Sequence, residues 1–128
     1  MNKVLSIKQP WIDLILTGEK TIEVRTWKTS YRGRLYLHSP QQPDKIAMEY
    51  FKVEKPLIYG CVLGFVDLVD CIDFTRESWH SARHQHLNYY PFEEGLKGWL
   101  LKNPVVIKPV PLKGKLGVFN WKGEINNG

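Results

Sequence analysis

The stretch GCVLGFVDLVDCIDF, residues 60–74, reads as one long, mostly apolar strand. Gly60 and Gly64 interrupt it. Glycine inside a strand marks a bend or a bulge, and such bends suit a small closed sheet. The only two cysteines, Cys61 and Cys71, both fall in this stretch. A straight strand would hold them roughly 33 Å apart, too far for a disulfide. Both read as buried thiols in a reducing compartment. Asp67 sits between Phe65 and Val69, where a carboxylate must be paired or point into a polar cavity. A structural hydrogen bond is its expected role. Asp70 and Asp73 suit the strand exit and the start of the next helix.

Before this strand, Val4–Ile7 reads as a short entry strand. QPWIDLILTG follows as a helix of about two turns, with Pro10 at its start and Gly18 in the left-handed position after its end. Trp11, Ile12, Ile15 and Leu16 form its apolar face, and Trp11 reads as core. Thr21–Trp27 and GRLYLHS read as strands, and PDKIAMEYFK as a helix ended by Pro56. After it, TRESWHSARHQHL reads as one helix starting at Thr75, and YYPFEEG as a loop. GWLLKN fits either a strand or a helical turn. VVIKPVPLKGKLGVFNW reads as two strands around Lys113–Lys115.

The result is an α+β chain, mainly β: a small β-barrel with two to three helices packed around it, in a single domain over residues 1–128. Without a βαβαβ alternation carrying phosphate-loop glycines, a Rossmann-type sheet is not expected. The N-terminus has no apolar signal core and no run approaches membrane-spanning length, so a cytoplasmic protein without membrane contact is expected.

The net charge of +5 is unevenly placed. Residues 20–34 carry five cations and one acid, and residues 97–128 carry six lysines and one acid. Residues 35–96 carry five cations and nine acids. If the two basic ends meet in space they form one face that attracts phosphate.

GEKTIEVRTW, residues 18–27, concentrates the chemistry. Glu23 and Arg25 share one face of a strand as a pair or a shared ligand site, and Lys20 lies at the turn leading in. A surface ion pair would give the same cluster with no further role. Downstream, Trp27, Tyr31 and Tyr36 interleave with Lys28, Arg32 and Arg34, a mixture suited to bases and phosphates.

Gly18-x-Lys20-x-x-Glu23-x-Arg25 resembles the GxKxxExR signature of the ASCH (activating signal cointegrator homology) domain family. QPW at 9–11, RTW with YRGRL at 25–35, GCVLGFVDLVDC at 60–71 and the ending PVPLKGKLGVFNW resemble further family blocks, in order along nearly the whole chain. The resemblance implies a PUA-like β-barrel that binds RNA or another nucleic acid, and a link to transcription coactivators. It implies a cleft lined by Lys20, Glu23 and Arg25, with a basic rim from Arg32 and Arg34; the interleaved aromatics add the expectation that Tyr31 or Tyr36 stacks on a base.

The enzymatic alternative also comes from the resemblance. One branch of the family hydrolyses the acetyl amide of N4-acetylcytidine, and another member is described as a ribonuclease. In such an enzyme Lys20 and Glu23 would be the catalytic pair, and the partner a modified nucleoside or RNA. That branch carries threonine where this chain has Glu23, and Glu77 is the only loose counterpart of its downstream glutamate. A lysine beside a carboxylate is a poor base unless burial lowers its pKa. No cofactor is expected. His80 and His84, four residues apart, lack a third ligand, so no metal is expected and His80, His84 and His86 read as an exposed helix face.

Overall fold

The computed structural model describes residues 1–123, so Glu124, the one acid of the basic C-terminal segment, lies outside the described residues. It contains one six-stranded mixed sheet and four short helices. In chain order these are β1 (Asn2–Ser6), α1 (Trp11–Leu16), β2 (Ile22–Arg25), β3 (Gly33–Ser39), α2 (Lys45–Tyr50), β4 (Cys61–Asp73), α3 (Arg76–Ser81), α4 (Arg83–His86), β5 (Lys97–Pro111) and β6 (Val118–Trp121). The strands lie side by side as β2-β5-β4-β3-β1-β6. The pairs are antiparallel except β1 with β3.

The 60–74 stretch is the strand it reads as, and it forms the sheet's centre. Its ladder with β5 slips register three times, next to Gly64, Asp67 and Asp70. Gly64 is required by proximity. A β-carbon there would stand 2.3 Å from the Val105 carbonyl oxygen and 2.6 Å from a Leu16 methyl. GWLLKN resolves as strand: it opens β5, which continues through the prolines to Pro111. Cys61 and Cys71 are free, as expected, but half-buried rather than buried.

Both faces of the sheet are covered. Leu5, Leu35 and Leu37 pack with Ile12, Ile15 and Leu16 of α1. Their strand neighbours Val4 and Tyr36 point the other way and pack with Phe119 and Trp121. Ile22, Phe74 and Trp79 form a third cluster under α3. Gly18 is left-handed, with φ of 87°, just beyond α1. The single helix read over TRESWHSARHQHL is instead two, α3 and α4, meeting at Ala82.

Asp44 caps α2 and also receives the Trp11 indole N–H at 2.9 Å, tying α2 to α1. Asp44→Ala removes both bonds and is expected to lower stability by about 2 kcal/mol in a urea titration.

The strand order has two ends, so the ladder is an open order, not a closed ring of hydrogen-bonded strands. It is nonetheless strongly curled. Four strand steps separate β2 from β1, about 19 Å if the sheet were flat. Yet the Arg25 guanidinium on β2 donates to the Ser6 carbonyl on β1 at 2.8 Å. Among the described residues, no helix is long and apolar enough to cross a membrane.

Candidate functional site

β2 alternates as its sequence implies: Ile22 and Val24 turn toward Phe74 and Trp79, and Glu23 turns to the opposite face with its register partner Trp99. Glu23 joins the signature together. Its Oε2 accepts from Arg25 Nε at 3.1 Å and lies 3.0 Å from Arg25 Nη2, and its Oε1 is 3.8 Å from Lys20 Nζ.

Lys20 is 1% exposed, one of the most deeply buried side chains in the protein. Its ammonium donates to the His86 carbonyl and to Asn88 Oδ1, and lies 4.7 Å from the centre of the Trp11 ring. Burial lowers its pKa from 10.5 to about 8, opposed by the Glu23 charge and helped by Arg25. A neutral amine keeps two N–H groups, one for each carbonyl acceptor, and frees a lone pair.

The acceptors of Lys20 come from the segment leaving α4. His86, read as exposed, is fully buried and stacks on Trp79 at 4.0 Å. Its Nε2 donates to the Trp79 carbonyl and its Nδ1 accepts from the Asn88 N–H. Both bonds fit the neutral ring, and burial lowers the His86 pKa accordingly. Asn88 also donates to the Tyr90 hydroxyl. Sequence reading missed Asn88, Tyr90 and Ser6. HLNYY carries no spacing signal, and its role exists only because the α4 exit packs on Lys20.

Arg25 is the exposed end of the network, with 24% of its side chain open to solvent. Glu23 holds it on one side and the Ser6 carbonyl on the other. Its Nη1 has no protein partner among the described residues.

The other residues expected at the site make no hydrogen bond or ion pair to this network among the described residues. Arg32 donates to the Thr29 and Tyr31 carbonyls and sits 3.5 Å from Asp70. Arg34 lies over the Phe65 ring, 4.2 Å from its centre. Tyr31 is half-buried and its hydroxyl donates to the Arg34 carbonyl. Tyr36 is 5% exposed, edge-on to Phe65 and Trp121, so burial closes it to a base. Asp67 has the structural bond expected, from Asn103. Asp73 is not a helix cap: it receives Lys28 and Lys97, which joins the two basic segments of the chain. His80 and His84 belong to no cluster suited to a metal among the described residues.

Comparison with known protein families matches the ASCH domain over residues 5–111, a span that includes the whole Lys20–Glu23–Arg25 network. The chain belongs to the ASCH domain family. Activating signal cointegrator 1 from Homo sapiens is 32% identical over 139 aligned residues, and the protein of that name from Mus musculus is equally similar. Each alignment takes in 97% of this chain but 23% of the relative, so this ASCH chain spans about a quarter of the curated relatives' length. The crystal structure of ASCH from Zymomonas mobilis superposes with a TM-score of 0.63 at 18% identity, covering 87% of this chain and 73% of that one. At that identity the likeness is one of ASCH fold.

Proposed function

We propose that this chain is one ASCH domain over residues 1–128 that binds RNA or another nucleic acid, with Arg25 as the phosphate contact of the signature. One observation carries the reading: Arg25 is held through Nε and Nη2 by Glu23 and the Ser6 carbonyl while Nη1 stays unpartnered among the described residues. A guanidinium held in place loses little freedom on meeting a phosphate. Lys20 and Glu23 act here as the buried frame that aims Arg25. The PUA-like barrel is part of this reading, supported by the curl that brings β2 onto β1. So is a cytoplasmic setting, supported by two free thiols.

The test is fluorescence anisotropy with short single- and double-stranded RNA and DNA at several salt concentrations. Binding is expected to weaken with salt, and Arg25→Ala to weaken it about tenfold or more. Absence of binding to all four at low salt overturns the reading.

The Lys20 pKa of about 8 supports a second reading, hydrolysis of an N4-acetylcytidine-type nucleoside or of RNA. Lys20 would take up a proton with Glu23 beside it. Acetate release or RNA cleavage by the wild type, lost in Lys20→Ala, is its signature. A panel of acylated cytidines left intact removes the amidohydrolase version.

A further inference from the structure

A second polar site lies beside Arg25, on a part of the chain outside the signature. The chain between β5 and β6 carries Lys113, Gly114, Lys115 and Leu116, and it overhangs Ser6 and His38. Between them is a cleft of about 580 Å³, within the range of sites that take nucleotide-sized ligands. Two lysines and one histidine line it, and among the described residues no carboxylate does. Neither Lys113 nor Lys115 has an ion-pair partner among the described residues.

The site is built, not merely exposed. Leu112 is pinned at the loop's root, its N–H donating to the Gly60 carbonyl and its own carbonyl accepting from His38 Nε2. With that nitrogen committed, His38 Nδ1 accepts the Ser6 hydroxyl proton at 2.9 Å. Gly114 rests directly on this pair. A β-carbon at Gly114 would stand 2.8 Å from both Ser6 Oγ and His38 Cε1. Glycine therefore lets the main chain lie on the Ser6–His38 pair with a lysine on either side. The main-chain N–H groups of Lys113, Gly114 and Lys115 have no acceptor among the described residues. Ser6 links the two sites: its hydroxyl lines the cleft and its carbonyl holds Arg25.

We propose that the cleft formed by Ser6, His38 and the Lys113–Leu116 loop is a phosphate-ester subsite. The two ammonium groups supply charge and the loop N–H groups supply directed donors, the combination that main-chain anion cradles use. The phosphate belongs to a nucleotide, either free or within a strand whose neighbouring phosphate meets Arg25. The second source rests on the nucleic-acid reading above; the first does not.

The experiment follows amide resonances of the full chain by two-dimensional NMR while adding adenosine, adenosine 5′-monophosphate or inorganic phosphate. In parallel, anisotropy measures a labelled ten-nucleotide RNA. The monophosphate is expected to move the Lys113, Gly114 and Lys115 signals, and adenosine to leave them in place. Lys113→Ala/Lys115→Ala should abolish that response, weaken RNA binding about tenfold or more and lower the salt slope by about two. Gly114→Val, which drives a side chain into Ser6 and His38, should block the monophosphate with both lysines present. If the monophosphate leaves the loop unmoved and the double variant binds RNA like the wild type, the subsite is overturned while the nucleic-acid reading stands. If the loop responds but wild-type protein binds no RNA, the subsite holds for free nucleotide and the nucleic-acid reading falls. An equal response to inorganic phosphate, with RNA binding unaffected by the double variant, overturns the ester assignment, because the nucleoside then contributes nothing.

Discussion

Glu23→Ala is expected to cost the fold about 2–3 kcal/mol, from the lost charge-assisted bonds to Arg25 and the lost counter-charge of Lys20, which can shed its proton. Glu23 is 7% exposed and faces two cations, one of them 1% exposed. Removing its carboxylate leaves Lys20 and Arg25 with no counter-charge among the described residues. For a domain of this size the loss lowers the melting temperature by roughly 6–15 °C. Thermal unfolding of the variant checks this directly. Lys20→Met in the same background should restore part of the loss, because the uncompensated ammonium is gone. A double-mutant cycle is expected to give a coupling of about 1 kcal/mol or more. A shift of only a degree or two for Glu23→Ala would mean that Glu23 is a surface pair, the bland alternative its sequence allows.

That alternative shows how far the sequence could be read. Strand parity placed Glu23 and Arg25 on one face, and the structure joins them at 3.0 Å. Gly18 announced the end of α1, and the glycines of 60–74 announced a bent central strand. Depth was not legible. Lys20 sits in polar sequence and looks like a surface lysine. Its burial depends on α4, some sixty residues later, folding back to offer the His86 carbonyl and Asn88. His86 misled for the same reason: a helical spacing with His80 and His84 suggested an exposed face, but the break at Ala82 turns its ring onto Trp79. Tyr36 failed as a stacking partner because β3 is covered on both faces, which a single strand's alternation cannot reveal. The Ser6–His38 pair was invisible because it needs β1 and β3 side by side in parallel register.

The second large effect is on pH dependence. Stability is expected to rise as pH climbs from 8 toward 10.5, by on the order of 3 kcal/mol from Lys20 alone. The sign follows from proton counts. Between those values the unfolded lysine, with its ordinary pKa of 10.5, still holds its proton, while the buried one has released it. Raising the pH therefore favours the folded form, and the gain is absent below pH 8, where both forms are protonated. Other lysines and the tyrosines titrate in the same range. The effect is thus read as a difference between wild type and Lys20→Met in urea titrations at pH 7.5, 9 and 10.5. The wild type should gain on the variant across that series. Parallel curves would mean that the Glu23 charge keeps Lys20 fully protonated and that the hydrolase reading has lost its base.

The antiparallel pairing of β1 with β6 sets the order in which the protein can be made. Asn2 finds its register partner only at Trp121, so about 120 residues must be synthesised before that ladder can close. Closing so long a loop costs entropy that only the finished contact returns, and topologies of this kind fold in milliseconds to seconds. Until then β1 has β3 as its strand partner and α1 over one face. The β4–β5 ribbon, whose strands are joined by a shorter excursion through α3 and α4, can assemble first. The Arg25 bridge to Ser6 spans these two parts of the sheet. It needs both β1 and the β5-paired β2 in place, so the Arg25 guanidinium is held only once strands from both ends of this stretch share one sheet.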